Sequence, residues 1–327
     1  MKYFVTGGTG FVGGHLVKAL LNRGDQVIAL VRDPARAQDI KAWGANLAVG
    51  DITQKESMRQ AMQGVDGLFH VAGWYKVGSG NKEDGYAINV DGTRNVLELM
   101  KELRIAKGVY TSTLAANSDT GGVVMDEDYQ FHGRHLSTYD ETKALAHHQV
   151  AEPMMEAGLP LVIVQPGGIY GPGDTSATGD SIRDFLKGDL PMLPKKTAVC
   201  WAHVDDIVQG HILAMEKGQI GESYIIAGPC HTFIEFFDIA AEISGKPAPP
   251  LQVPAWLLKA LSFPMGVLDK ILPLPPEYTG EGLRVISGTT YLGDNSKAKR
   301  KLGYQPRSVR QGLEQSLPAY QAEIEEN

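Results

Sequence analysis

Tyr139 and Lys143 stand four residues apart in the stretch STYDETKALAHH, residues 137–148. Positions i and i+4 share one face of a helix, so a phenol and an ammonium would lie side by side there. That is a candidate proton-transfer pair, although the same spacing fits a solvated helix face. Thr138 followed by Glu141 has the form of a capping box, which would put Tyr139 in the first turn. A second group of residues sits at the amino terminus. In VTGGTGFVGG, Gly7, Gly10 and Gly13 are spaced three apart, and Gly8-Thr9-Gly10-Phe11-Val12-Gly13 also satisfies G-x-G-x-x-G. In either register the missing side chains allow a tight turn, close approach of backbone N–H groups to a pyrophosphate, and close helix packing.

Such groups act only if something rigid holds them together. Strand-like runs occur at KYFVT (2–6), QVIALV (26–31), ANLAVG (45–50), GLFHVA (67–72), KGVYTS (107–112) and PLVIVQ (160–165). Amphipathic segments separate them, among them FVGGHLVKALLNRG and YDETKALAHHQVAEPMMEAG. This alternation predicts an α/β fold with a doubly wound parallel sheet and helices on both faces. After Pro166 the pattern gives way to the Gly/Pro-rich GGIYGPGDTSATGD, while VDDIVQGHILAME and SYIIAG look like a return to the first domain. The expected division is a dinucleotide-binding domain of residues 1–168 rejoined by 199–228. A smaller, discontinuous substrate domain would come from 169–198 and 229–327.

Taken in order, several fragments resemble the extended short-chain dehydrogenase/reductases. They are Thr6-Gly7-x-x-Gly10-x-x-Gly13, Asp51-Ile52, His70-Val71-Ala72-Gly73, Asn89-Val90-x-Gly92-Thr93, Tyr110-Thr111-Ser112-Thr113, Tyr139-x-x-x-Lys143, Pro166 with Tyr170-Gly171-Pro172, and His203-Val204-Asp205-Asp206. The tail, Asp294-x-Ser296-Lys297-Ala298 and Leu302-Gly303-Tyr304, is similar too. Arg32-Asp33-Pro34 and the overall layout look most like the dihydroflavonol reductase and 3β-hydroxysteroid dehydrogenase-like branch. The resemblance implies a Rossmann fold and an oxidoreductase in which Tyr139 is the acid/base and Lys143 holds the nicotinamide ribose. A free phenol has a pKa of about 10, and a neighbouring ammonium would lower it. Thr113 matches the hydroxyl that polarises the substrate carbonyl; Ser112 is the weaker candidate, since adjacent strand residues face opposite ways.

The same resemblance implies cofactor contacts from Gly7, Thr9, Gly10, Phe11, Val12 and Gly13, then Arg32, Asp51, Ile52, Ala72, Gly73, Pro166 and Ile169, besides Tyr139 and Lys143. In QVIALVRDPAR the family pattern puts Val31 at the end of the second strand, with Arg32 next. A guanidinium there can bind a 2′-phosphate, so NADP(H) is expected in preference to NAD(H). Arg36 could add a second charge. Asp33 is the counter-indication, unless it turns away with Pro34 and caps the next element.

Composition bounds the rest. The 327 residues suggest about two domains at ~150 residues each. A formal charge of −7 without a basic stripe argues against nucleic-acid binding. Cys200 and Cys230 are too few for a disulfide framework or zinc site, which fits a reducing cytoplasm. The segment PAWLLKALSFPMGVLDKILPLPP (254–276) is interrupted by Lys259, Pro264, Asp269 and Lys270, short of the ~18 apolar residues of a membrane span. It reads as an amphipathic lid or cavity wall, with peripheral membrane contact as the alternative. His203-Val204-Asp205-Asp206 reads as helix capping rather than a metal cluster, and no metal is expected. His147 and His148 read as packed or solvated, and Asp126-Glu127-Asp128 as a solvated loop. Trp74, Tyr75 and Tyr170 either line the cavity or pack the domain interface.

The expected function is NADP-dependent reduction of an aldehyde or ketone on a small, fairly apolar molecule. A nucleotide-sugar epimerase or dehydratase on the same scaffold is the alternative; Leu114-Ala115 after Thr113, where dehydratases carry an acidic pair, counts against the latter. A non-catalytic sensor would lack the Tyr/Lys pair. A homodimer is common among relatives.

Overall fold

The computed structural model describes residues 1–78, 81–269, 271–272 and 274–326. Six strands lie close to the expected runs: β1 Lys2–Thr6, β2 Gln26–Val31, β3 Asn46–Val49, β4 Gly67–His70, β5 Gly108–Thr111 and β6 Leu161–Gln165. Then come β7 Gly168–Tyr170, β8 Met192–Pro194, β9 Ala198–His203, β10 Ser223–Ile225, β11 Cys230–Thr232, β12 Leu251–Val253 and β13 Thr290–Tyr291. The main sheet runs β10-β6-β5-β4-β1-β2-β3, and every neighbouring pair is parallel.

The residues explain that order. β4 and β6 are buried along their whole length, as central strands covered on both faces must be. β3 is only partly buried and takes the edge. One face carries Leu16, Val17 and Leu20 of the first helix with Ile207, Val208 and Ile212 of the helix Val204–Lys217. The other carries Val96, Leu97, Met100 and Val150. SYIIAG does return to the sheet: β10 pairs with β6 in register Ser223↔Ile163. Crossovers leave β1 toward β2 and β4 toward β5 on opposite sides, so a crevice opens between the carboxyl ends of β1 and β4.

Beyond β6 a smaller sheet forms, with β9 flanked by β11, β13 and β7. A third core, including Tyr170, Trp201, Phe236, Leu313 and Tyr320, joins it to the carboxy-terminal helix Val309–Glu326. Here the cysteine expectation is corrected. Cys200 and Cys230 sit directly opposite each other on β9 and β11 and are joined in a disulfide. A count of two excluded a framework but could not foresee ladder partners thirty residues apart.

The Leu/Pro-rich segment also differs from expectation. It forms β12 and the helix Ala255–Leu268, with Pro264 inside it. Among the described residues of 251–276, none is among those lining the main cavity. Among the described residues, no helix is long and apolar enough to cross a membrane.

Candidate active site

The turn after β1 builds one end of a crevice. Gly7 has φ +75°, and a Cβ there would lie 2.6 Å from the Ala72 nitrogen in the turn after β4. A side chain at Gly13 would collide with the Gly7 carbonyl oxygen. The Gly10 N–H donates to that oxygen at 2.9 Å, closing the turn as the helix Phe11–Asn22 begins. Thr6 links the two turns: its hydroxyl accepts the Ala72 N–H and pairs with His70, which reaches Thr93 on its other nitrogen. Burial depresses the His70 imidazole to about 3, with the Lys143 charge adding to the effect. His70 is therefore a neutral strut.

These turns open into a cavity of about 640 Å³. Gly7, Thr9, Gly10, Phe11, Val12 and Gly13 line it, as do Arg32, Asp51, Ile52, Ala72, Gly73, Pro166, Ile169, Thr113, Tyr139 and Lys143. These candidate residues are thus gathered in one cavity, whereas Arg36 and Tyr170 are not among its lining. At the end of β2, Val31 is buried and Arg32 exposed at the cavity edge. Asp33 caps the short 3-10 helix Pro34–Ala37, its carboxylate accepting the Ala35 N–H at 2.9 Å. It is not among the lining residues.

Tyr139 and Lys143 lie on the helix Thr138–Leu145. Its cap is shifted one residue from the expected box. Ser137 is the N-cap: its hydroxyl accepts the Asp140 N–H and donates to the Asp140 carboxylate. Ser137-x-x-Asp140 and Thr138-x-x-Glu141 are both chemically suitable; the structure uses the first, and Glu281 accepts the Thr138 N–H instead. Tyr139 is in the first turn either way.

Tyr139 and Thr113 line the same cavity, and the Tyr75 ring stands edge-on against Tyr139 at 4.8 Å. Burial raises the Tyr139 phenol above its ordinary range, and the nearby Thr113 hydroxyl opposes the rise. Burial lowers the Lys143 ammonium to about 7. Its Nζ donates to the Thr111 carbonyl at 2.7 Å and reaches Tyr110 Oη at 3.4 Å. Tyr139 and Lys143 lie one turn apart on the same helix, as expected.

The neighbouring hydroxyls divide as strand geometry requires. Ser112 shares a 2.7 Å hydrogen bond with His147 Nδ1, turned into the helix behind it. His147 is buried, and His148 pairs with Glu152 at 2.7 Å. His203 caps the helix Val204–Lys217, accepting the Asp205 N–H, while Asp206 binds Arg307. Trp74 and Tyr75 line the cavity, but Tyr170 packs against Phe236 with its hydroxyl on the Val309 carbonyl. Glu127 departs from the solvated-loop reading, accepting the Ile225 N–H at the edge of the sheet.

Sequence reasoning missed the far end of the cavity. Asp140, Asp174, Tyr291, Val285 and Ile286 line it. Tyr291 donates to the Asp140 carboxylate at 2.9 Å, and Asp174 is fully buried with one carboxylate oxygen unpartnered among the described residues. Burial raises Asp140 to about 7, against the hydrogen bonds of Ser137 and Tyr291. Only the i+1 position of Asp140 after Tyr139 could have hinted at its place; the others arrive from distant segments.

Comparison with known proteins places this geometry. The family model described as "NAD dependent epimerase/dehydratase family" matches residues 3–227. A relative from Synechocystis sp. with the provisional name dihydroflavonol 4-reductase is 37% identical, over 98% of this chain and 94% of its own length. Sterol demethylase protein B of Methylococcus capsulatus is 30% identical over 95% of each chain. The crystal structure of gox2253 superposes with a TM-score of 0.83 at 31% identity, covering 98% of both chains. A UDP-glucuronic acid 4-epimerase from Bacillus cereus, solved with NAD, shares the fold at TM-score 0.78 and 22% identity, covering 98% of this chain and 99% of its own.

Proposed function

The chain belongs to the NAD dependent epimerase/dehydratase family, and on that premise we propose that it is an NADP-dependent reductase of an aldehyde or ketone on a small, fairly apolar molecule. The observation that carries the reading is that Thr113 and Tyr139 line the glycine-turn cavity together, with Lys143 one turn along the helix from Tyr139. In this reading Tyr139 donates its phenolic proton to the carbonyl oxygen. Thr113 holds that oxygen and stabilises the charge that develops on it. When bound, the nicotinamide supplies the hydride.

The residues present suit such a cofactor. The crowding at Gly7 and Gly13 leaves backbone, not side chain, facing the space where a pyrophosphate would lie. Lys143 would hold the nicotinamide ribose, and Arg32 the 2′-phosphate. Asp33 is occupied as a cap, which supports NADP(H) over NAD(H). Residues 1–168 with 199–228 serve the cofactor in this reading, and 169–198 with 229–327 the substrate. A homodimer and a cytoplasmic location belong to the same proposal, although the Cys200–Cys230 bridge does not follow from the latter.

The test is an NADPH-oxidation screen over aldehydes, flavanonols, ketosteroids and nucleotide sugars. Aromatic or aliphatic carbonyl compounds should give the highest kcat/KM. A nucleotide sugar as best substrate would replace the reductase with an epimerase.

A further inference from the structure

The helix Ala255–Leu268 turns an apolar face to solvent. Trp256 is 70% exposed, Phe263 81% and Val267 52%. With exposed Ala260 they recur at steps of four, three and four residues, which is a single stripe along a helix. Leu261 and Leu268 flank the stripe, and Ile271 and Leu272 extend it; all four are exposed. At 150–250 Å² per aromatic side chain, Trp256 and Phe263 alone put roughly 220–380 Å² into water. The largest apolar patch of a typical monomer is about 300–600 Å², so these residues together call for an occupant.

The opposite face of the helix is committed. Leu258 and Ser262 are buried, and Gly266 lies against the backbone of Gly280. Gly280 begins the helix Gly280–Ile286, whose Val285 and Ile286 line the cavity. The stripe is therefore one helix removed from the cavity.

Charge selects the occupant. The chain as a whole carries −7, yet exposed Lys259 stands between Trp256 and Phe263 along the helix, and exposed Lys195 and Lys196 lie near Gly288, beside Ala255 at the start of that helix. Asp269 turns inward, its carboxylate accepting the Gly280 N–H at 3.0 Å. Two copies meeting across a two-fold axis would set these cations against one another. Anionic lipid headgroups would pair with them while the stripe entered the acyl boundary.

We propose that the helix Ala255–Leu268 docks this protein on an anionic phospholipid surface, lying in the plane of the interface. The inference goes beyond carbonyl reduction and does not depend on it, because its readout is binding.

The test is co-sedimentation with vesicles of phosphatidylcholine alone, or with one third phosphatidylglycerol, at low and high salt. Anionic vesicles should bind about tenfold more strongly, and high salt should weaken that binding. Trp256→Ser with Phe263→Ser should lower binding about tenfold or more. Lys195→Glu with Lys196→Glu should remove the preference for anionic vesicles. Unchanged thermal melting and cofactor binding would show that the variants fold. No binding to either vesicle, or wild-type binding by the Trp256/Phe263 variant, would overturn the proposal. So would a dimer in light scattering that the same variant dissociates, combined with failure to bind vesicles, since a second copy would then cover the stripe.

Discussion

The two ends of the cavity are built on different principles. The cofactor end comes from short turns that each come directly after a strand: residues 7–13 after β1 and 71–73 after β4. Backbone does most of the work there, which is why glycine recurs and why a Cβ at Gly7 or Gly13 has nowhere to go. The far end is a set of side chains from distant segments, Tyr75, Asp140, Asp174, Val285, Ile286 and Tyr291. Recognition by backbone constrains residue type strongly, while recognition by side chains leaves many solutions open. One end can be read as chemistry from its own sequence; the other acquires meaning only when folded.

The sharpest way to break this comparison is at the seam, where Tyr139 and Thr113 meet. Tyr139→Phe should lower kcat by about 10²-fold or more, since a positioned acid supplies at least that, and should leave NADP(H) affinity nearly unchanged. Stopped-flow turnover with fluorescence titration of cofactor measures both. More than about a tenth of the wild-type rate would remove Tyr139 from its assigned role. Thr113→Ala should cost ~10²–10³ in rate, as for one donor to a developing oxyanion, while Thr113→Ser should be tolerated. Ser112→Ala should be far milder on rate, because that hydroxyl is held by His147. A reversed order of Ser112 and Thr113 would mean that the end of β5 has been assigned in the wrong register.

Legibility divides along the same line. The central strands were readable because parallel strands covered on both faces are continuous apolar runs, as LVIVQ shows. The cradle was readable because glycine spacing is a local property. The cap was misplaced by one residue because two overlapping boxes fit equally and only backbone geometry decides between Ser137 and Thr138. Whether the segment 251–276 is a lid, a cavity wall or a membrane contact was not legible, because apolar composition does not say which face of a helix is outward. Tyr291 and the Cys200–Cys230 bridge carried no signal, since both depend on strand pairing.

A smaller effect sharpens the cofactor end. Arg32 borders the cavity where its side chain could discriminate between cofactors. Arg32→Ala should raise KM for NADPH about tenfold and leave NADH little changed, the expected loss of one charge-assisted phosphate contact. Steady-state kinetics with both cofactors decides it. A wild type that prefers NADH, or a variant with unchanged preference, would return the role to Asp33 despite its capping bond to Ala35.

The smallest effect belongs to the far end and concerns Asp140. Its carboxyl ordinarily titrates near 4, and burial raises it to about 7 in the folded protein, with Ser137 and Tyr291 hydrogen bonds opposing the shift. The folded state therefore binds this proton more tightly than the unfolded chain does. Between about pH 4 and pH 7 the native carboxyl stays protonated while the unfolded one is ionised, so this group's contribution to stability falls as pH rises across that window. Above it the burial penalty is fully felt. Asp140→Asn keeps the size of the side chain and removes the titration, although it changes the hydrogen bond received from Tyr291. The variant should melt on the order of 5 °C above wild type at pH 8 and show little advantage near pH 4. Calorimetric melting of both proteins across pH 4–8 measures it, and a difference in Tm that did not grow with pH would mean that Asp140 is ionised in the fold throughout.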